Sequence, residues 1–70
     1  MSFAALSRAN ERDARAVASL LEGSDLLGGT VVMVLDDIEQ DEQDFIIEGF
    51  VEYEDGETNY PFTLIYHGVA

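Results

Sequence analysis

Seventy residues and 7.7 kDa hold one small domain, which buries only about 60% of the surface its unfolded chain exposes, and the absence of cysteine closes the disulfide route to extra stability. Hydrophobic residues make up 47% of the chain, too many for a disordered acidic tail, yet no apolar run reaches the roughly 18 residues of a membrane span. Fifteen Asp and Glu against three Lys and Arg give a net charge of −12, which disfavours nucleic acid and anionic membrane as direct partners and favours cationic ones.

Residues 3 to 22 read as a helix. Phe3, Leu6, Ala14, Val17 and Leu21 fall on one stripe at helical spacing, Ala is frequent, and neither Pro nor Gly occurs before Gly23, a natural C-terminal cap. Ser2 suits the N-cap. Asn10 followed by Asp13 is a second capping signal in the middle of the stripe, so a break near Asn10 stays open. Glu11 and Arg15 stand at i,i+4 in the favourable orientation. Within residues 1 to 24, Arg8, Arg12 and Arg15 balance Glu11, Asp13 and Glu22, so this neutral segment reads as scaffold, and the whole −12 belongs to the remainder.

After Gly28-Gly29 the vocabulary turns β-branched and aromatic, and turn chemistry divides it into strands at about 30–35, 45–54 and 60–67. Asp55-Gly56 predicts a tight hairpin turn between the last two. Pro61 cannot donate a ladder hydrogen bond, which places it at the start of the third strand or on an edge and makes the second strand central. The expected fold is α+β, a single domain over 1–70 with one N-terminal helix packed on a three-stranded antiparallel meander sheet. Residues 36–44, DDIEQDEQD, are expected to be the loop between the first two strands.

Alternation along the second strand puts Phe45, Ile47, Gly49, Val51 and Tyr53 on the face that meets the helix, with Ile46, Glu48, Phe50, Glu52 and Glu54 on the other. Phe62, Leu64 and Tyr66, then Val31, Met33 and Leu35, match the first set. The second face carries an apolar strip of Val32, Val34, Ile46, Phe50 and Ile65, which one helix cannot also cover. Twist and loop packing, a homodimer, or another partner are the alternatives for that strip.

No Lys or Arg occurs from Asp25 to Ala70. A merely solubilising surface intersperses both signs, so this asymmetry points to binding. Glu48, Glu52 and Glu54 would stand on one strand face, where residues two apart are separated by about 6.5–7 Å. With Asp36, Asp37, Glu39, Asp41, Glu42 and Asp44 at one end, and Asp55 and Glu57 at the other, they could imitate the charge pattern that Lys and Arg of a nucleic-acid groove recognise. Ile46, Phe50 and Tyr60 would add contacts that persist in salt.

Other chemistry finds little support. Asp37, Glu39, Asp41 and Glu48 follow EF-hand offsets, but Glu42 stands where that loop requires Gly and the flanks are strands, so neither a metal nor another cofactor is expected. His67 is the only histidine, which excludes a histidine-based metal cluster. No nucleophile elbow accompanies Ser24 or any other serine, and the paired Asp36 and Asp37 sit in an exposed stretch, so no catalytic residue is assigned. Tyr53, Tyr60 and Tyr66 fit core or core-edge positions as well as contact hot spots.

In size, in the base-free stretch Asp25 to Ala70 and in the DDIEQDEQD segment, the chain resembles the small acidic phage-encoded anti-CRISPR and anti-restriction proteins that act as DNA mimics. No family motif transfers residue by residue. The resemblance implies a non-enzymatic inhibitor in the cytoplasm of a bacterial host cell. Its partner would be a basic nucleic-acid-binding protein or ribonucleoprotein complex, above all a type I CRISPR effector, bound at the surface that receives target DNA. Two other readings are an immunity or antitoxin protein that neutralises a basic toxin, and a structural or assembly module that pairs with itself or a larger subunit. No basic n-region followed by an apolar h-region opens the sequence, which agrees with a cytoplasmic expectation.

Overall fold

The computed structural model describes residues 2–70. Its elements are helix α1 (Phe3–Leu21) and strands β1 (Asp25–Leu26), β2 (Gly29–Met33), β3 (Glu39–Asp41), β4 (Asp44–Glu52) and β5 (Asn59–Tyr66). The class is α+β, as expected, but the antiparallel sheet has five strands instead of three. Four rows organise them: β4 is central, β5 pairs along one side of it, β2 and β3 share the other side, and β1 lies beyond β2.

α1 is continuous. The Ser2 hydroxyl accepts from the Ala5 N–H at 3.1 Å and caps the first turn, while Gly23, at φ +81°, turns the chain out of the helix. The alternative of a break near Asn10 is overturned. Asn10 is 3% exposed and serves the tail rather than a cap: its Nδ2 donates to the Val69 carbonyl at 2.9 Å and its Oδ1 accepts from the Val69 N–H at 3.0 Å. An amide paired to one residue's N–H and C=O completes a buried polar site without an orphaned group, which is why a polar side chain is tolerated on the apolar stripe.

The segment 36–44 is not the irregular loop expected. Residues 39–41 form β3, which folds back on β4 with Gln40 opposite Phe45 and Asp41 opposite Asp44. Gln40 faces the helix, where its Nε2 donates to the Ser7 hydroxyl at 2.8 Å, and this tether helps draw a strongly acidic stretch into the sheet. The turn places Glu42 at φ +56°, a left-handed conformation that a side chain occupies at a cost. Likewise β1 and β2, unforeseen as a hairpin, are joined through Leu27 and Gly28 at φ +53° and +80°, the twist-matching geometry of a primed turn. The Tyr53 hydroxyl donates to the Leu27 carbonyl at 2.8 Å and braces that tip.

The expected tight turn at Asp55-Gly56 is instead a wider connection, residues 53–58, because β4 ends at Glu52 and β5 starts at Asn59. Gly56 does take positive φ, and its N–H donates to the Tyr53 carbonyl at 3.1 Å. The Asp55 carboxylate accepts from the Glu57 and Thr58 N–H groups and from the Thr58 hydroxyl. These bonds turn the chain over several residues, which two residues alone would otherwise have to do.

The core lies between α1 and the helix-facing side of β2 and β4. Ala14 and Ala18 let the helix approach Val31, Met33, Phe45, Ile47 and Val51, all buried. Gly49 also faces inward. A Cβ there would meet the Phe62 ring at 2.7 Å and the Met33 sulfur at 2.9 Å, so its missing side chain is what lets Phe62 lie across the central strand. Phe62, Leu64 and Tyr66 of β5 pack against this core but are only half-buried. The Cα trace spans 47 × 18 × 17 Å with a radius of gyration of 13.7 Å, against about 11 Å for a compact chain of this length. The core is therefore thin and drawn out along the helix and the long β4–β5 hairpin.

Candidate functional site

The face of the sheet turned away from α1 is the candidate site. The strict alternation of β4 sends Phe45, Ile47, Gly49 and Val51 inward, so Asp44, Ile46, Glu48, Phe50 and Glu52 point outward. Acid and apolar residues thus alternate along the outer face of the central strand. The ladder register extends each into a crossbar: Asp41 and Asp44, then Glu39, Ile46 and Ile65, then Glu48 and Thr63, then Val32, Phe50 and Pro61, then Thr30, Glu52 and Asn59. Glu39, Asp41, Glu48 and Glu52 are exposed, whereas Ile46 and Phe50 are half-buried between their cross-strand neighbours.

Several predicted positions fall elsewhere. Glu54 does not continue the row of Glu48 and Glu52, because β4 ends before it, and it joins Asp55 and Glu57 in the exposed connection to β5. The acids of the outer row are consequently Asp44, Glu48 and Glu52, each four residues from the next and about 13 Å apart, twice the two-residue step of a strand. Tyr60 stands opposite Val51 on the helix side, its ring edge-on to Tyr53 at 6.4 Å, and is no neighbour of Ile46 and Phe50. Asp36 and Asp37 are exposed in the short link before β3, and Glu42 is exposed at the β3–β4 turn.

Two outer-face acids hold internal bonds. The Glu48 carboxylate accepts from the Thr63 hydroxyl at 3.0 Å. Asp44 faces Asp41 directly, a like-charge pair that costs stability, and is relieved by the Gly68 N–H at 3.1 Å and by His67 Nδ1 at 3.1 Å. Asp55 titrates below the ordinary aspartate range, first through the Thr58 hydroxyl bond and then through the Thr58 and Glu57 backbone donors, which favour the charged form.

The basic side chains stay with the helix. Arg12 is bonded to Asp13 at 3.1 Å, and Arg15 to Glu11 at 3.0 Å and to the Leu35 carbonyl at 3.1 Å. None of the three Arg stands on a strand, and among the described residues His67 is the one basic side chain bonded to an outer-face acid. Among the described residues no group of three or more Asp, Glu and His side chains is arranged to hold a metal ion. No helix among them is long and apolar enough to cross a membrane.

A separate groove of about 450 Å³ runs between the first helical turns, the β3–β4 turn and the C-terminal tail, with Phe3, Leu6 and Val69 supplying its apolar lining. Neither the groove nor the Asn10–Val69 clasp behind it is anticipated by the sequence analysis. The available signal is an Asn at a helix-stripe position, which demands a buried partner wherever it packs. No family model matches the chain, and no curated protein or solved structure matches it.

Proposed function

We propose that the chain is a non-catalytic binding protein whose acidic outer face covers a cationic surface that otherwise holds nucleic acid. The observation that carries this reading is the separation of charge from scaffold. Glu39, Asp41, Glu48 and Glu52 line an exposed face without Lys or Arg, while all three Arg lie on the helix. Such a face accelerates encounter with a basic surface, and its electrostatic contribution weakens as salt rises.

The apolar crossbars refine the kind of surface. With acids about 13 Å apart along β4 and Ile46 and Phe50 between them, the face suits a protein that offers Lys and Arg around apolar contacts better than one that reads charge alone. The resemblance in size and charge distribution narrows the partner to the DNA-receiving surface of a bacterial defence complex, with anti-CRISPR or anti-restriction inhibition as the outcome. Asp36, Asp37, Glu42, Glu54, Asp55 and Glu57 contribute to the field that steers encounter.

Capture from bacterial lysate tests it, with wild-type bait compared with a bait carrying E39Q, E48Q and E52Q at low and moderate salt. The expected result is retention of a nucleic-acid-binding protein or complex that added DNA and rising salt both release, and that the triple variant fails to retain. Equal retention by the variant, or no such protein with wild type, overturns the reading.

A further inference from the structure

The acids stop at Glu57. Residues 58–70, TNYPFTLIYHGVA, carry no Asp, Glu, Lys or Arg, and most of them form β5, the strand that borders the sheet. β5 pairs only with β4, so its other edge has no strand beside it.

The direction of its free groups follows from the ladder. The Val34 N–H donates to the Glu48 carbonyl at 2.9 Å, so even-numbered residues of β4 turn their backbone groups toward β2 and odd-numbered ones toward β5. The register opposes Ile47 to Leu64 and Gly49 to Phe62, which makes the even-numbered residues of β5 the bonded ones. Asn59, Pro61, Thr63 and Ile65 therefore turn their backbone groups outward. Pro61 agrees with this parity, since a residue without an N–H fits only where no ladder bond is required.

Open edges are normally blunted by charge, by proline or by a bulge. Here Pro61 protects one end, while Thr63 and Ile65 leave donors and acceptors on an uncharged edge, with Ile65 half-exposed at 51%. We propose that this edge is a homodimer contact, in which two copies pair β5 antiparallel about a two-fold axis at Leu64.

That register sets Thr63 against Ile65 of the second copy and Ile65 against its Thr63, each pair exchanging both bonds, and leaves Pro61 outside the exchange. On the helix side it places Phe62 opposite Tyr66 of the second copy, joining apolar side chains that α1 covers only in part. A second copy suits this edge for an electrostatic reason as well. Two chains of −12 repel, and the contact keeps every acid out of the newly paired strands. A basic partner would be drawn to the outer face instead.

The salt response is opposite in sign to that of the proposed partner binding, so this inference and that reading fail separately. Sedimentation equilibrium over a wide concentration range tests it. From about 0.1 M to 1 M NaCl, where the Debye length falls from about 10 Å to about 3 Å, the mass should move toward two chains and the dissociation constant should drop about tenfold or more.

I65P removes an outward N–H and leaves the β4 ladder intact. I65E places an acid at the contact through an exposed side chain. Both should remain single chains at concentrations where the wild type pairs, with unchanged far-UV circular dichroism, and I65E carries the test if I65P does not fold. Wild type that remains a single chain at high salt overturns the proposal, as does association beyond two chains. Loss of pairing in F50S but not in I65E also overturns it, since the outer face would then be the contact.

Discussion

The two faces of β4 come from the same nine residues and have opposite characters. Inward, Phe45, Ile47 and Val51 are 2%, 0% and 1% exposed and meet a helix whose small Ala14 and Ala18 permit close approach. Outward, Asp44, Glu48 and Glu52 alternate with Ile46 and Phe50 under no covering element. The difference teaches that one strand can carry the stability of the fold and its recognition chemistry on opposite sides of a single backbone. A change on one side should disturb the other little, unless it alters the register.

The sharpest way to break that comparison is to truncate one residue on each side. Ile47→Ala should cost about 2–5 kcal/mol, since Ile47 is fully buried and its neighbours cannot collapse around the space without moving the helix. Phe50→Ala, at a half-buried outer position, should cost about 1 kcal/mol and leave the fold intact. Urea unfolding followed by circular dichroism measures both. Equal losses would mean that the outer face is also core.

A smaller effect is expected where the helix holds the tail. Asn10→Ala removes both bonds to Val69 and should destabilise by about 1–3 kcal/mol, with amide exchange quickening at Val69. The loss should not extend to the outer face, and chemical-shift changes at Glu48 and Glu52 would contradict this separation. The smallest effect has the opposite sign. Glu42→Gly relieves a left-handed side-chain conformation and should stabilise by about 1 kcal/mol, read as a higher urea midpoint.

Sequence periodicity reveals elements that obey a single local rule. Ser2, the Ala-rich stripe and Gly23 delimit the helix almost to the residue, and the alternation of β4 divides its side chains correctly between faces. Pro61 identifies the edge strand and therefore the central one. What stays hidden depends on tertiary partners. The acidic 36–44 segment has the composition of a loop, and its entry into the sheet is accompanied by a contact between Ser7 and Gln40, residues 33 positions apart.

The same limit explains Glu54. Alternation extrapolates past Glu52, but the chain leaves the strand there because Asp55 organises the connection with Thr58. The row of acids loses that end, while Tyr60, opposite Val51, takes the helix side that it shares by parity with Phe62, Leu64 and Tyr66. Candidate residues on regular strand were legible by parity, while those next to a turn were not, because turn length decides the face on which the following side chains emerge.

The drawn-out shape has a hydrodynamic consequence. A rod 47 Å long and 18 Å across tumbles and diffuses as a larger sphere would, and its −12 charge keeps a counterion atmosphere about 10 Å deep around it at 0.1 M salt. A single 7.7 kDa chain will therefore leave a gel-filtration column ahead of compact standards of equal mass, most of all in dilute buffer. Elution position alone would mistake one chain for two, and it would shift with ionic strength even where nothing associates.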